Sequence, residues 1–291
     1  NSSQTIIDCF IDATKKLGIS VLTNQSVQSI FKKDALWKVE TQSETYLSEK
    51  LILATGSNPK VWEMLQNFGH AVVSPVPSLF TFNIKDPRIE ALPGVSALVS
   101  VKVIDTKLES SGPLLITHWG MSGPAILKLS AWGARILFEK NYQFSIAINW
   151  LNDTDTEDVE KILKELKLDH AKKAVSKKSP FELTNRLWES LVMASGIDTE
   201  TKWADLSKNQ LQNLSHQLTN SVFQVNGKST FKEEFVTAGG IDLKEINFKT
   251  MESKLHENLY FAGEIVNIDA VTGGYNFQNA WTSGFIVASS I

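Results

Sequence analysis

The chain has 291 residues, of which 42% are hydrophobic and 21% charged, and its formal net charge is -3. This is the composition of a soluble globular protein, and the near-neutral charge argues against a nucleic-acid partner. A single cysteine excludes a disulfide within the chain and fits a reducing, cytoplasmic compartment, while no run of about 18 apolar residues predicts a membrane span.

The first 75 residues alternate between helical and extended patterns. Ser2 or Ser3 can cap a helix with an apolar face, which Gly18 ends. The segments predicted next are a strand at 19–22, strands at 27–31, 36–41 and 44–47, a buried strand at 50–54 and a helix at 60–68. This order predicts an α/β fold, and we assign residues 1–75 to the first part of one domain.

Prolines interrupt the β-rich stretch that follows, and residues 76–152 are predicted to form an inserted β domain, a small barrel. Leucines at helical intervals predict a helical subdomain at 153–220. The alternation at 224–235 is typical of strands that return to the barrel, so 221–236 is assigned there. Residues 237–291 are predicted to return to the first domain.

The run from Asn258 to Gly284 has the pattern of a cofactor cradle. A buried strand at 259–262 ends in Gly263-Glu264, a polar loop follows, and Gly273-Gly274 precedes a helix at 275–288. Glycine lets a ligand approach the backbone, and the free N–H groups of a helix N-terminus favour negative charge. A lone Gly-Gly is more simply a tight turn, but this run is much longer.

The same run, from Phe261 to Gly284, resembles the closing motif of the BaiN/RdsA-like family of NAD(P)/FAD-dependent oxidoreductases, which includes aminoacetone oxidase-like flavoproteins. Further blocks at 237–254, 117–124 (Thr-His-Trp-Gly-Met-Ser-Gly-Pro) and 53–56 are similar to the family, so the resemblance covers essentially the whole chain. It implies a Rossmann-like FAD-binding domain, here incomplete, with an inserted β-barrel-like domain and a helical subdomain. It also implies hydride transfer through the flavin between a small organic substrate and NAD(P)H or O₂.

The resemblance implies a set of FAD contacts. Ala54, Thr55 and Gly56 would approach the diphosphate or ribose, Val27 the adenine, and Gly263 and Glu264 the ribityl-phosphate region. The isoalloxazine ring would be framed by Gly273, Gly274, Tyr275, Asn276 and Gln278. Asn267 stands where the family usually has Asp, and its amide can still form a hydrogen bond there.

One part of the family pattern is missing from these residues. The family opens with a strand, a G-x-G-x-x-G turn and a helix that hold the FAD diphosphate, and that motif is not found here. We therefore expect an N-terminally truncated chain. The alternative is a flavin-free fragment without catalytic activity of its own. A flavin-dependent RNA-modifying enzyme is a third hypothesis, against which the net charge argues.

His118 is the candidate catalytic residue, since a histidine beside a flavin can exchange protons with a substrate. The simpler alternative is that Thr117, His118 and Ser122 cap a helix that starts near Pro124. The other four histidines have no partner pattern and are predicted to be surface or packing residues. We find no metal-ligand cluster and no nucleophile–base pair in the sequence.

Overall fold

In the computed structural model, which describes residues 2–229 and 236–291, short helices and strands alternate along the chain. The helices are α1 (Ser3–Lys16), α2 (Pro59–Asn67), α3 (Pro87–Glu90), α4 (Pro124–Trp132), α5 (Ala134–Glu139), α6 (Thr156–Asp169), α7 (Asn185–Ala194), α8 (Lys208–Thr219) and α9 (Tyr275–Ser290), with 3-10 turns at Trp203–Asp205, Leu243–Glu245 and Gly263–Ile265. The strands are β1 (Val27–Lys33), β2 (Leu36–Thr41), β3 (Thr45–Ser48), β4 (Leu51–Leu53), β5 (Val72–Ser78), β6 (Thr81–Asn83), β7 (Ser96–Val103), β8 (Glu109–Thr117), β9 (Gly120–Ser122), β10 (Gln143–Asn149), β11 (Ser221–Asn226), β12 (Lys228–Ser229), β13 (Val236–Ile241), β14 (Ile246–Asn247), β15 (Glu252–Ser253) and β16 (Leu259–Phe261). The predicted mixed α/β class is confirmed.

The first core is built on a four-stranded sheet of order β14-β15-β16-β4. β16 and β4 are parallel, with Phe261 opposite Leu53, so both strands end at the same edge. α2 covers this sheet because Asn58 caps it, Pro59 fixes its first turn, and Trp62 and Leu65 are buried on one face. A separate three-stranded meander, β1-β2-β3, precedes it in the chain.

The second core is built on a seven-stranded antiparallel sheet of order β11-β10-β7-β8-β9-β6-β12. Val99, Val101 and Val103 alternate inward along β7, as expected for a strand with one buried face. The predicted strands of this segment are present. The helix that the alternative interpretation of His118 starts near Pro124 is present as α4, which packs Ile126 and Leu129 into the core, whereas α5 was not predicted. α6, α7 and α8 contribute to the same hydrophobic cluster.

A two-stranded antiparallel pair, β5 with β13, connects the two cores. The pair spans the positions at which the sequence predicts the chain to leave the first domain and to return to it, and those boundaries stay predictions. Two glycines of β13 lie very close to the backbone of neighbouring segments. A Cβ on Gly239 would lie 2.6 Å from Pro75 Cα, and one on Gly240 would lie 2.5 Å from the Ile265 oxygen.

The N-terminal region differs from its prediction. The residues at 19–22 are not a strand, because no strand in the described part of the chain lies beside them, and Val21 is exposed. Ser2 caps α1 as predicted, but the apolar face of α1 is exposed as well. Residues 230–235 of the alternating segment at 224–235 lie outside the described residues. Among the described residues, none of the helices has the length and apolar character needed to cross a membrane.

Candidate functional site

A cavity of about 680 Å³ lies at the edge of the first core, next to the end of the β5–β13 pair. This is a usual size for a small-molecule site. Its floor is formed by the ends of the parallel strands β4 and β16, and its side by the first half of α9. Leu79 and Val236, at the end of the β5–β13 pair, close it on another side. We call it the glycine cavity because Gly56, Gly263, Gly273, Gly274 and Gly284 line it.

Most of these glycines have a positive φ angle, and at two of them an added side chain would project into open space. Gly263, Gly273 and Gly274 have φ angles of 75°, 130° and 88°, a region that L residues rarely adopt. A Cβ on Gly56 or Gly274 would meet no protein heavy atom within 4 Å. The backbone there is therefore exposed to whatever occupies the cavity.

The loop between β16 and α9 is held in place from several sides. Trp62 donates its indole N–H to the Ile265 oxygen at 2.9 Å, and Ser78 donates its hydroxyl to Asp269 at 2.9 Å. The Asn276 side-chain amide bonds both the N–H and the carbonyl of Ala270, each at 3.0 Å. This wall of the cavity is thus fixed before any ligand binds.

The N-terminus of α9 supplies hydrogen-bond donors at the cavity. Gly274 is the N-cap residue, and no side chain caps the helix among the described residues. The backbone bond from Gln278 N–H to the Gly274 oxygen begins the helical ladder, so the amides of Tyr275, Asn276 and Phe277 have no acceptor within the helix. Together with the helix dipole, they favour a ligand with negative charge or carbonyl oxygens.

Glu264 is the titratable side chain among the described residues that line the glycine cavity. Burial raises the pKa of its carboxyl group. No hydrogen-bond donor or cation pairs with this carboxyl within the described ranges. The carboxyl oxygens can accept hydrogen bonds, so Glu264 can hold a hydroxyl group of a ligand.

The structure brings together only part of the predicted cofactor set. Those that line the glycine cavity are Ala54, Gly56, Gly263, Glu264, Gly273, Gly274 and Asn276. The other predicted residues do not line it. Val27 and Thr55 are exposed, and Tyr275 lines a neighbouring cavity. The Asn267 backbone N–H donates to the Ile241 oxygen, and the Gln278 side-chain amide donates to the Thr282 hydroxyl. The cofactor role of all of them stays a prediction.

Sequence reasoning missed several wall residues. Ala280 and Gly284 were not predicted; they follow the predicted Asn276 at intervals of four on α9, and all three line the cavity. Small residues at that spacing leave one helix face open, which is the signal that could have found them. Leu79 and Val236 carry no such signal, because they reach the cavity only through the fold.

His118 lies in the exposed turn between β8 and β9 and does not line the glycine cavity. The alternative interpretation is correct only in part. α4 begins at Pro124 as proposed, but its N-cap is Gly123, with φ of 94°, and no side-chain cap is present in the described structure. The structure therefore gives His118 neither the cap role nor a place in the cavity wall.

A second polar cluster corrects the sequence analysis, which found no partner for His70. Its buried imidazole bonds Glu245 through Nδ1 at 2.7 Å and Ser253 Oγ through Nε2 at 3.1 Å. Ser253 Oγ also accepts the N–H groups of Leu255 and His256, so its own hydrogen is directed to His70 Nε2. This order of nucleophile, base and acid resembles a hydrolase triad, but Ser253 is buried and does not line the glycine cavity, so the cluster ties chain segments together.

This bonding pattern requires a neutral imidazole and makes stability depend on pH. Burial lowers the pKa of His70 below its ordinary value of 6.5, although the Glu245 carboxylate acts in the opposite direction. The unfolded chain therefore binds the proton more readily, and the contribution to stability is complete above about pH 6.5 and is lost as the pH falls. We expect the unfolding temperature to fall between about pH 7.5 and 5.5, and to fall less in His70→Gln. The exposed His216→Gln variant is the control and keeps the wild-type slope; equal slopes for all three proteins would contradict the assignment.

The residues that line the glycine cavity suit the flavin half of FAD better than its diphosphate half. The apolar walls of Leu79, Val271 and Phe277, and the free amides of α9, suit a planar ring that carries carbonyl oxygens. No lysine or arginine is among the described lining residues, and the 291 residues contain no G-x-G-x-x-G motif for the diphosphate. The donor set therefore fits the isoalloxazine and ribityl part of the cofactor.

Comparison with known proteins gives one family and several relatives. Residues 76–236 match the family model described as HI0933-like protein barrel and H2TH domain. The chain is 29% identical over 301 residues to the ribosomal RNA dihydrouridine synthase of Escherichia coli (strain K12), covering 100% of this chain and 72% of that protein. The protein of the same name from Haemophilus influenzae is 29% identical over 303 residues, covering 99% and 73%. A 3-dehydro-bile acid delta(4,6)-reductase of Clostridium scindens is 22% identical over 284 residues, covering 92% and 68%.

Proposed function

Because the chain belongs to the family of HI0933-like proteins with a barrel and H2TH domain, we propose that it is an FAD-dependent oxidoreductase whose glycine cavity holds the isoalloxazine ring. The observation that carries this proposal is the uncapped N-terminus of α9, which borders a fixed, glycine-lined cavity at the ends of two parallel strands. Ligands of open α/β sheets bind at this edge.

The residues of the cavity have separate roles in this proposal. When bound, the flavin would carry a hydride between a small organic substrate and its redox partner: NAD(P)H would supply the hydride where the substrate is reduced, and O₂ would accept the electrons where the substrate is oxidised. The free amides of Tyr275, Asn276 and Phe277 stabilise negative charge on the ring. Glu264 accepts hydrogen bonds from the ribityl hydroxyls through its carboxyl group, and the walls formed by Leu79 and Val271 exclude water from the ring.

The activities named for the relatives support one reaction class. Dihydrouridine differs from uridine by two hydrogens across a carbon–carbon double bond that is conjugated with a carbonyl. The delta(4,6) double bonds of a 3-dehydro-bile acid are also conjugated with a carbonyl. We therefore propose reduction of such a bond, in which a hydride adds to the carbon remote from the carbonyl and a proton adds to the carbon beside it.

Two substrates fit this reaction. The first is a small organic enone, in line with the moderate size of the cavity. The second is a uridine base in RNA, and it is favoured by the 29% identity that extends over the whole chain to two ribosomal RNA dihydrouridine synthases. NAD(P)H is the proposed reductant for both.

The test measures cofactor binding before turnover. The purified chain is mixed with FAD, freed of unbound cofactor and examined between roughly 350 and 500 nm, where we expect a flavin band at near-stoichiometric occupancy. Under anaerobic conditions, NAD(P)H is then supplied with either cyclohexenone or a uridine-containing RNA, and the product is expected to gain two hydrogens. A protein that takes up no added FAD would overturn the proposal and support the alternative of a flavin-free chain without catalytic activity.

A further inference from the structure

Two further cavities lead from the glycine cavity, past the end of α4, to the seven-stranded sheet. The first, which we call the middle cavity, has about 530 Å³ and is bordered by Trp132, Asp269, Val271 and Tyr275. Val271 also lines the glycine cavity, so the two adjoin. The second, which we call the polar cavity, has about 600 Å³ and shares Trp132 with the middle cavity.

The polar cavity offers donors that have no partner. Lys102 on β7 and Lys128 on α4 both line it, and neither ammonium group has an ion pair or hydrogen bond within the described structure. Ser110, which is 7% exposed, also lines it, and its Oγ has no hydrogen-bond partner among the described residues. A buried hydroxyl in this condition is uncommon in native proteins and indicates a missing ligand or water.

Exposed aromatic side chains line the cavities from the polar cavity to the glycine cavity. Trp132 is 61% exposed, Tyr275 58% and Phe277 70%. Large aromatic residues are normally more buried than this, and exposed apolar clusters beside a cavity mark binding surfaces. Lys128 and Trp132 lie four residues apart on α4 and therefore on the same helix face.

We propose that these three cavities form one binding surface for a single-stranded segment of RNA. Unpaired ammonium groups bind the phosphates, the exposed rings of Trp132 and Tyr275 stack on bases, and one base reaches the opening of the glycine cavity, beside the flavin ring. Cationic side chains combined with stacking aromatics are the recurring chemistry of single-strand binding. This inference rests on the second substrate of the proposed function, uridine in RNA.

Carboxylates on the same surface limit the strength of this attraction. Asp153 accepts the Ser100 hydroxyl at 2.6 Å, and Asp269 accepts the Ser78 hydroxyl at 2.9 Å, so both are held by donors of the protein. Glu109 stands opposite Lys102 in the strand register. These carboxylates and the net charge of -3 weaken the attraction between the protein and the RNA phosphates. We therefore expect most of the binding free energy to come from stacking of bases on the aromatic rings.

Two kinds of variant test the surface, with a labelled single-stranded RNA of about 20 nucleotides as the probe. Trp132→Ala is expected to weaken binding by roughly 5- to 150-fold, because one stacked base contributes about 1–3 kcal/mol. Lys102→Gln with Lys128→Gln is expected to reduce the slope of log K against log salt by about 1.4, since each phosphate contact of a single strand contributes about 0.7. A merely structural role would not change that slope.

The matched controls are exposed residues that border none of the three cavities. Phe248→Ala removes an aromatic ring that is 48% exposed, and Lys161→Gln removes a surface lysine paired with Asp158; both should bind as the wild type does. Absence of RNA binding by the wild type, or unchanged binding by Trp132→Ala and by the lysine variant, would overturn the proposal. Binding of a matched single-stranded DNA with equal strength would overturn the assignment to RNA.

Flavin uptake and cyclohexenone reduction are measured on the same preparations, so the two proposals fail separately. A chain that reduces the enone but binds no RNA refutes only the RNA surface. A chain that binds RNA through Trp132 but takes up no FAD refutes only the oxidoreductase function.

Discussion

Replacement of Gly284 by leucine is expected to weaken flavin binding while leaving the fold intact. Gly284 lies in the interior of α9 and lines the glycine cavity, and a Cβ built on it would meet no heavy atom within 4 Å. A leucine side chain would occupy space that the isoalloxazine ring needs, so we expect FAD affinity to fall roughly 5- to 150-fold, equivalent to an overpacking cost of about 1–3 kcal/mol. The affinity is measured by titration of the flavin absorbance.

The same substitution should not destabilise the protein. Glycine in a helix interior costs about 1 kcal/mol relative to good helix formers, so the free energy of unfolding should stay equal or rise. Ala288→Leu is the control, because Ala288 is exposed one turn further along α9 and lies outside the cavity. Unchanged FAD affinity in Gly284→Leu would show that the flavin does not use this cavity.

Replacement of Gly240 by alanine is expected to destabilise the fold strongly. Its φ of 123° is unfavourable for any L side chain, and the new Cβ would lie 2.5 Å from the Ile265 oxygen and 2.8 Å from the Val266 carbonyl carbon. Both neighbours are backbone atoms, which cannot rotate away as a side chain can. Backbone strain and overpacking together should lower the free energy of unfolding by about 2–6 kcal/mol, measured by denaturant titration.

The effect of Gly240→Ala should extend to the cofactor site. Asn267 N–H bonds the Ile241 oxygen at 3.0 Å, and this contact holds the start of the loop that walls the glycine cavity. Gly69→Ala is the matched control, since Gly69 has φ of 84° and open space around it, and its loss should be limited to about 1–2 kcal/mol of strain. Equal losses in the two variants would mean that the close approach at Gly240 is not rigid.

Local signals in the sequence predicted much of the secondary structure. The Asn58-Pro59 start of α2 and the Gly123-Pro124 start of α4 are visible in the residues themselves, since capping depends on neighbours within one helical turn. The strand at 19–22 was wrong for the opposite reason. Four apolar residues are compatible with a strand, but a strand exists only where another lies beside it, and the local pattern does not contain that information.

The residues of the glycine cavity also divide into those that local sequence signals predict and those that only contacts between distant segments place there. The sequence alone determined that a strand end at Gly263-Glu264 and a glycine pair before α9 would form a cradle, because both depend on residues close together in the chain. Only the tertiary structure decided that Leu79 and Val236 close the cavity, that His70 has Glu245 as its partner, and that Val27 and Gln278 lie outside the wall. These outcomes depend on contacts between segments about 100 to 200 residues apart, such as the 175 residues between His70 and Glu245. Periodicity and capping describe only the nearest turns of the chain, so they carry no record of such contacts.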